Sequence, residues 1–151
     1  MNTYFKAIDD LQEAAIAEPF INKVTQGDIT EIDLSRSSIY PLCHLSILNA
    51  TITPGTISLD ISVILMDIVE NTSDENSSDT RENNNEMDVL NTQLSIASRL
   101  HALLERKSDF RNSYQLDTPF SCEFFTERFD NDLAGVTSTF TVTVPNTMTS
   151  C

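Results

Sequence analysis

The sequence predicts an α+β fold, with a mainly antiparallel sheet of about five strands and two main helices packed on one face. Residues 56–70 alternate apolar and polar side chains, which is typical of a strand buried on one side. Residues 3–24 and 87–107 repeat apolar residues at helical spacing. With 151 residues, the chain is expected to form a single domain, 1–151.

The N-terminal half is predicted to contain one helix and three strands. The helix covers 3–24 with a break or kink at Pro19, and Gly27-Asp28 ends the helical region. Strands follow at 29–34, 41–49 and 56–70, and Pro54-Gly55 marks the turn between the second and third. Ile64 and Met66 interrupt the polar face of the third strand, so another part of the chain is expected to cover that end.

Residues 70–88 differ in composition from the rest of the chain. They carry seven acids and one Arg, and there is no apolar residue from Asn71 to Glu86. Such a segment buries too little surface to offset the entropy of ordering it, which predicts a flexible acidic loop. Its candidate functional residues are Asp74, Glu75, Asp79, Glu82 and Glu86.

The C-terminal half is predicted to contain a helix and a hairpin. The helix spans 87–107, with Arg106-Lys107 at the negative end of its dipole. Strands at 120–129 and 136–144 are joined by a turn at 131–135. The predicted element order is therefore α-β-β-β-α-β-β.

Charge and motifs exclude several classes of function. The net charge of -14 opposes nucleic-acid binding, which requires Lys and Arg to neutralise phosphates. No phosphate-binding loop, metal motif or nucleophile elbow occurs, so no cofactor and no metal are expected. No apolar run reaches the roughly 20 residues of a membrane span, and the N-terminus is unlike a signal peptide.

The remaining candidates for catalysis involve cysteine and histidine. Cys43 and His44 are adjacent in a predicted strand, so their side chains point to opposite faces and cannot form a dyad. Pairing of His44 with Cys122 requires a contact that the sequence does not reveal. A packed histidine and a buried thiol are the favoured interpretation, and the chain is predicted not to be an enzyme.

Two longer stretches together resemble a known family. These are GDITEIDLSRSSIYPLCHLSI at 27–47 and PFSCEFFTERFDNDLAGVTSTFTVTVPN at 119–146. They are similar to small virion proteins of tailed phages that infect Bacteroidetes, including crAss-like phages. The element order also resembles that of tail-terminator and head–tail connector proteins, and the resemblance covers nearly the whole chain except 70–88.

The resemblance implies a ring-forming structural protein in the phage neck or tail, between portal and tail, assembled in the host cytoplasm. It implies a homo-oligomer of 6 or 12 copies, contacts with other neck or tail proteins, and DNA that passes through without specific binding or any membrane association. Under this interpretation a subunit interface is expected at Gly27, Asp28, Tyr40, Pro41, Phe129 and Asn131.

Two alternatives remain open. A monomeric acidic adaptor or DNA mimic would use the carboxylates of 70–88 to bind a basic partner. A small hydrolase built on His44 and Cys122 ranks last.

Overall fold

The computed structural model describes residues 3–28, 39–69, 86–106, 115–117, 120–128 and 133–145, with side chains omitted at 3–5, 86, 127 and 128. It confirms the α+β class, with two helices and a six-stranded, mostly antiparallel sheet. In chain order the elements are α1 (Thr3–Ile16), β1 (Lys23–Gln26), β2 (Leu42–Ile52), β3 (Thr56–Ile68), α2 (Glu86–Arg106), β4 (Gln115–Leu116), β5 (Ser121–Arg128) and β6 (Leu133–Pro145).

The sheet is built around three long strands, β2, β3 and β6. Its order is β1-β2-β3-β6-β4, and β5 lies beside the first half of β6 in the same outer position as β4. All pairs are antiparallel except β1 with β2. Strand directions therefore alternate from β2 through β3 and β6 to β5.

The main core lies between the two helices and one face of the sheet. The predicted stripe of β3 lies on this face, where it joins buried residues of α1, α2, β2 and β6: Leu11, Ala15, Cys43, Leu45, Leu59, Ile61, Val63, Leu65, Ile96, Leu100, Leu104, Phe140 and Val142. This confirms that both helices pack on one side of the sheet. We call that side the helix face and the other the open face.

A second cluster covers one end of the open face. Met66 packs there with Ile39, Tyr40, Leu42 and Leu133, and Ile64, Ile68 and Phe125 flank them. The break in the polar side of β3 is thus explained by residues at the start of β2 and in the β5–β6 hairpin.

Two contacts fix α2 against the rest of the chain. The ring of His101 stacks on Phe120 with centroids 3.6 Å apart, and Phe120 stacks on Phe140 at 4.4 Å. Near the end of α1, Glu18 receives two hydrogen bonds from the guanidinium of Arg99, at 2.8 and 3.1 Å. His101 is therefore a packed residue of α2.

The prediction of a helix over 3–24 is wrong beyond its first 14 residues. The last α-helical hydrogen bond after α1 runs from Ala17 N to Glu13 O, and Pro19 follows shortly. Residues 23–26 form β1 instead, where Val24 and Thr25 are β-branched and suit a strand. The predicted strand at 29–34 lies outside the described residues.

Other boundaries also differ from prediction, since β2 runs on to Ile52 and β3 ends at Ile68. Gly135 lies inside β6 and not in the turn. The residue is a glycine because a Cβ at this position would overlap the carbonyl of Leu65 in the neighbouring strand. The short strand β4 falls between the predicted helix at 87–107 and the predicted strand at 120–129, where no strand was predicted. α2 begins at Glu86, one residue before the predicted start of the helix. In contrast, Pro54-Gly55 forms the predicted turn, closed by Thr53 and Thr56.

No helix among the described residues has the length and apolarity required to span a bilayer.

Candidate functional site

Four of the six predicted interface residues lie at the two ends of β1. Gly27 and Asp28 follow its last residue, and Tyr40 and Pro41 precede the strand that pairs with it. Because β1 is parallel to β2, these two pairs are separated by the length of the four-residue strand, about 13 Å. They do not form a single corner.

At the C-terminal end of β1, a buried histidine forms hydrogen bonds with Thr25 and Gly27. His44 is fully buried on the open face, with Nε2 2.9 Å from the carbonyl oxygen of Gly27 and Nδ1 2.9 Å from Thr25 Oγ1. A carbonyl only accepts, so Nε2 carries the proton and Nδ1 accepts from the threonine hydroxyl. Ser46 Oγ donates a second hydrogen bond to the same carbonyl at 3.0 Å.

The electrostatics of His44 follow from this environment. Burial lowers its pKa below the usual value, and the Gly27 hydrogen bond and the charge of Asp28 oppose that shift. The neutral ring therefore satisfies both nitrogens inside the protein. Gly27 itself has a φ of 102°, a conformation that glycine adopts readily.

At the start of β1, the chain is held by the backbone of β2. The carbonyl of Pro41 accepts hydrogen bonds from the backbone of Asn22 at 2.9 Å and of Lys23 at 3.3 Å, and the Asn22 side chain donates to the Tyr40 carbonyl at 3.2 Å. The Tyr40–Pro41 peptide bond is cis, and the Tyr40 side chain is 8% exposed. These residues therefore contribute to the fold of the single chain.

The other predicted site residues are mostly beyond what the structure describes. Phe129 and Asn131 lie outside the described residues, as do Asp74, Glu75, Asp79 and Glu82. Glu86 is the first residue of α2.

The sequence interpretation expected the sheet to pack edge to edge with copies of itself through its Thr-rich last strand, but that strand, β6, is internal and the edges lie elsewhere. β1 covers β2 only as far as Leu45, and no described strand lies beside β2 from Ser46 to Ile52. Two large apolar side chains on this stretch are exposed, Leu48 at 56% and Ile52 at 72%. β2 contains no Asp, Glu, Lys or Arg.

The opposite edge is β5, which has no described strand on its outer side. It presents Phe124, whose side chain is 55% exposed. Strand edges with unpaired backbone groups and apolar side chains are sites for pairing with another chain. The signal in the sequence was the uncharged LNATI stretch at 48–52, which continues past the predicted strand end. A second signal was the FF pair at 124–125, in which alternation turns the two rings to opposite faces.

Beyond the second cluster, the open face is rich in hydroxyls. Cross-strand rows of β2, β3 and β6 place Ser46, Ser62, Thr139, Asn49, Asp60, Thr141, Thr51, Ser58 and Thr143 on this side. Thr141 donates to Asp60 at 2.8 Å, and the Ser58 and Thr143 hydroxyls are 3.3 Å apart. These three strands contain no Lys or Arg.

The cysteine and histidine candidates are not brought together. Cys43 is buried in the helix-side core, where desolvation raises its pKa to about 12, whereas His44 is on the open face. Cys122 lies in β5, three strand spacings or about 14 Å from β2, and its thiol contacts Ser138 Oγ at 3.8 Å. Among the described residues, no group of three or more His, Cys, Asp or Glu could hold a metal ion.

Comparison of the sequence with protein-family models gives no match, and comparison with curated proteins gives no significant one.

Proposed function

We propose that this chain is a structural virion protein of a tailed phage. It forms a homo-oligomeric ring in the neck or tail, between portal and tail, through which DNA passes. The observation that carries the proposal is the pair of sheet edges that no described strand covers, one formed by the charge-free β2 with Leu48 and Ile52, the other bearing Phe124. The resemblance of 27–47 and 119–146 to phage virion proteins points to the same class.

A strand edge without charged side chains favours contact between two copies of this chain. Each copy carries a net charge of -14, so two copies repel each other unless they meet where charge is absent. The charge-free β2 supplies such a place. Because the two edges are different surfaces on opposite sides of one sheet, their contact is head-to-tail, and a head-to-tail contact generates a ring when its rotation closes.

Passage of DNA is supported by the composition of the open face. If this face lines the channel, DNA meets hydroxyls and the carboxylate of Asp60 and no cation from β2, β3 or β6. Phosphates are held chiefly by Lys and Arg, so such a wall does not retain DNA.

The oligomeric state tests the proposal. Size-exclusion chromatography with light scattering, over a hundredfold range of concentration, is expected to give a closed oligomer that negative-stain images show as an annulus. A single chain at every concentration would contradict the ring. A single chain that also binds a basic protein would favour the alternative of a monomeric acidic adaptor or DNA mimic.

The channel role has its own test. Rings of the Thr139→Lys variant place a cation on the open face, whereas Thr92→Lys places the same charge on exposed α2. Retention of double-stranded DNA by the first and not by the second is the expected result. Equal retention by both variants would show that the open face does not line the channel.

A further inference from the structure

The two open edges of the sheet fit each other in strand direction. Directions alternate from β2 through β3 and β6 to β5, so β5 runs opposite to β2. When β5 of one copy is set beside β2 of the next, with their helix faces on the same side, the new pair is antiparallel. The alternation then continues unbroken from copy to copy.

We infer that β5 of one copy pairs antiparallel with the uncovered stretch of β2, Ser46 to Ile52, in the next copy, giving one continuous sheet around the ring. This inference rests on the proposed function and specifies its interface. The partner surface is a second copy of this chain.

β1 limits the register of this pairing. β1 pairs with β2 through Leu45, so the incoming β5 lies beside the rest of β2, and the longest such pairing sets Arg128 level with Ser46. Within one copy, Arg128 of β5 pairs with Leu133 of β6. Ser46 of β2 pairs with Ser62 of β3, which in turn pairs with Thr139 of β6, so Ser46 is level with Thr139. Bringing Arg128 beside Ser46 is therefore a shift of six residues along the strands, from the level of Leu133 to that of Thr139.

This shift brings apolar side chains together on the helix face. Because the shift is an even number of residues, side chains that pair across the new contact lie on the same face of the sheet. Phe124 is level with Val136 and Ala50 with Val142, six residues apart, so the shift sets Phe124 opposite Ala50. Because Ala50 is small, the Phe124 ring also reaches the exposed side chain of Ile52, its diagonal neighbour across the two strands. Cys122 falls directly opposite Ile52.

The geometry of closure agrees with the same register. In this register the end of β5 arrives where the pairing of β1 with β2 ends. A shift of six residues is about 20 Å, and four strands are about 19 Å wide. Closing the sheet then tilts the strands by about 45° from the ring axis, at the upper end of the range for closed barrels.

Site-specific disulfides test the register. In a Cys151→Ser background, Ile52→Cys places a thiol opposite native Cys122 of the neighbouring copy. Mild oxidation of assembled protein is expected to give a ladder of covalent multimers on a non-reducing gel. Leu103→Cys on the outer side of α2 is the matched control in the same background, and adding Cys122→Ser to Ile52→Cys removes the partner thiol. Both controls are expected to run as single chains on the non-reducing gel.

A second variant measures the apolar contact. Phe124→Asp is expected to weaken assembly at least tenfold in concentration, whereas Phe20→Asp, at a similarly exposed aromatic, leaves it unchanged. Rings that form normally but give no Ile52→Cys ladder would overturn the β5–β2 pairing and leave the ring itself standing. Failure of the unaltered protein to assemble would overturn both.

Discussion

The imidazole of His44 donates a hydrogen bond of 2.9 Å to the carbonyl oxygen of Gly27, across the end of the parallel pair β1–β2. Gly27 N in turn donates to the carbonyl of Leu45 at 3.1 Å. These contacts hold β1 as a short cover on β2. They therefore set how much of the β2 edge stays open, which connects a buried histidine to the surface proposed for assembly.

The stability of the chain is expected to fall at mildly acidic pH because of His44. Its folded pKa is lowered by burial, so between the folded value and the unfolded value of about 6.5 the unfolded chain binds the extra proton. The free energy of unfolding therefore decreases as pH drops through about 6.5. Urea unfolding at a series of pH values from 5 to 8 measures this slope.

Two variants isolate the histidine contribution. His44→Gln removes the titrating ring and is expected to flatten the slope in that window. Ser46→Ala deletes a hydroxyl on the same carbonyl without removing a titrating group, and is expected to keep it. A slope in His44→Gln equal to that of the unaltered chain would contradict the assignment.

Gly135 is expected to be the least replaceable glycine in the described chain. A Cβ there would overlap the backbone of Leu65 and Met66, so Gly135→Ala should lower the free energy of unfolding by about 3 kcal/mol or prevent folding. Gly55→Ala, where a Cβ meets no atom within 4 Å, is the matched control and should change little. Urea unfolding curves compare the two, and similar losses in both would disprove the close approach of β3 and β6.

Cys43 is expected to resist alkylation in the folded protein, since a thiol with a pKa of about 12 in a closed core supplies almost no accessible thiolate at pH 8. Cys122, which is exposed in the single chain, should be modified readily at concentrations below those of assembly. Peptide mass spectrometry after iodoacetamide treatment, with and without denaturant, measures both sites. Equal modification of the two in native buffer would show that the helix-side core is not closed over β2.

Gln93 is expected to reduce stability. Its side chain is 1% exposed in α2, and neither amide atom has a hydrogen-bond partner among the described residues. Gln93→Met keeps a similar volume without the unpaired polar atoms and should raise the free energy of unfolding by about 1–2 kcal/mol. Gln12→Met on α1, which is only partly buried, serves as the control. Destabilisation by Gln93→Met would mean that the amide is satisfied in solution.

The parts of the fold that the sequence predicts well are those governed by local pattern. The ten-residue alternation of β3 and the apolar stripe of α2 identify those elements and the faces they bury. The four residues of β1 are too few for a period, and their conformation depends on His44 and Pro41, about 20 positions away. The sequence places Gly135 in a predicted turn at 131–135, and only the position of Leu65 shows why a glycine lies in a strand.

The candidate site was predicted less completely for the same reason. Gly27 and Pro41 were named as interface residues under the resemblance, and the contacts that the structure shows for both lie within the single chain. The exposure of Ile52 and Phe124 depends on which strands lie at the edges of the sheet. Strand order is set by long-range pairing, which periodicity does not encode.

Native mass spectrometry of the purified, unaltered chain tests the central claim most directly. The ring predicts one dominant species at 6 or 12 times the mass of a single chain, lost in the Phe124→Asp variant and kept in Phe20→Asp. A spectrum containing only single chains at every concentration would contradict the account.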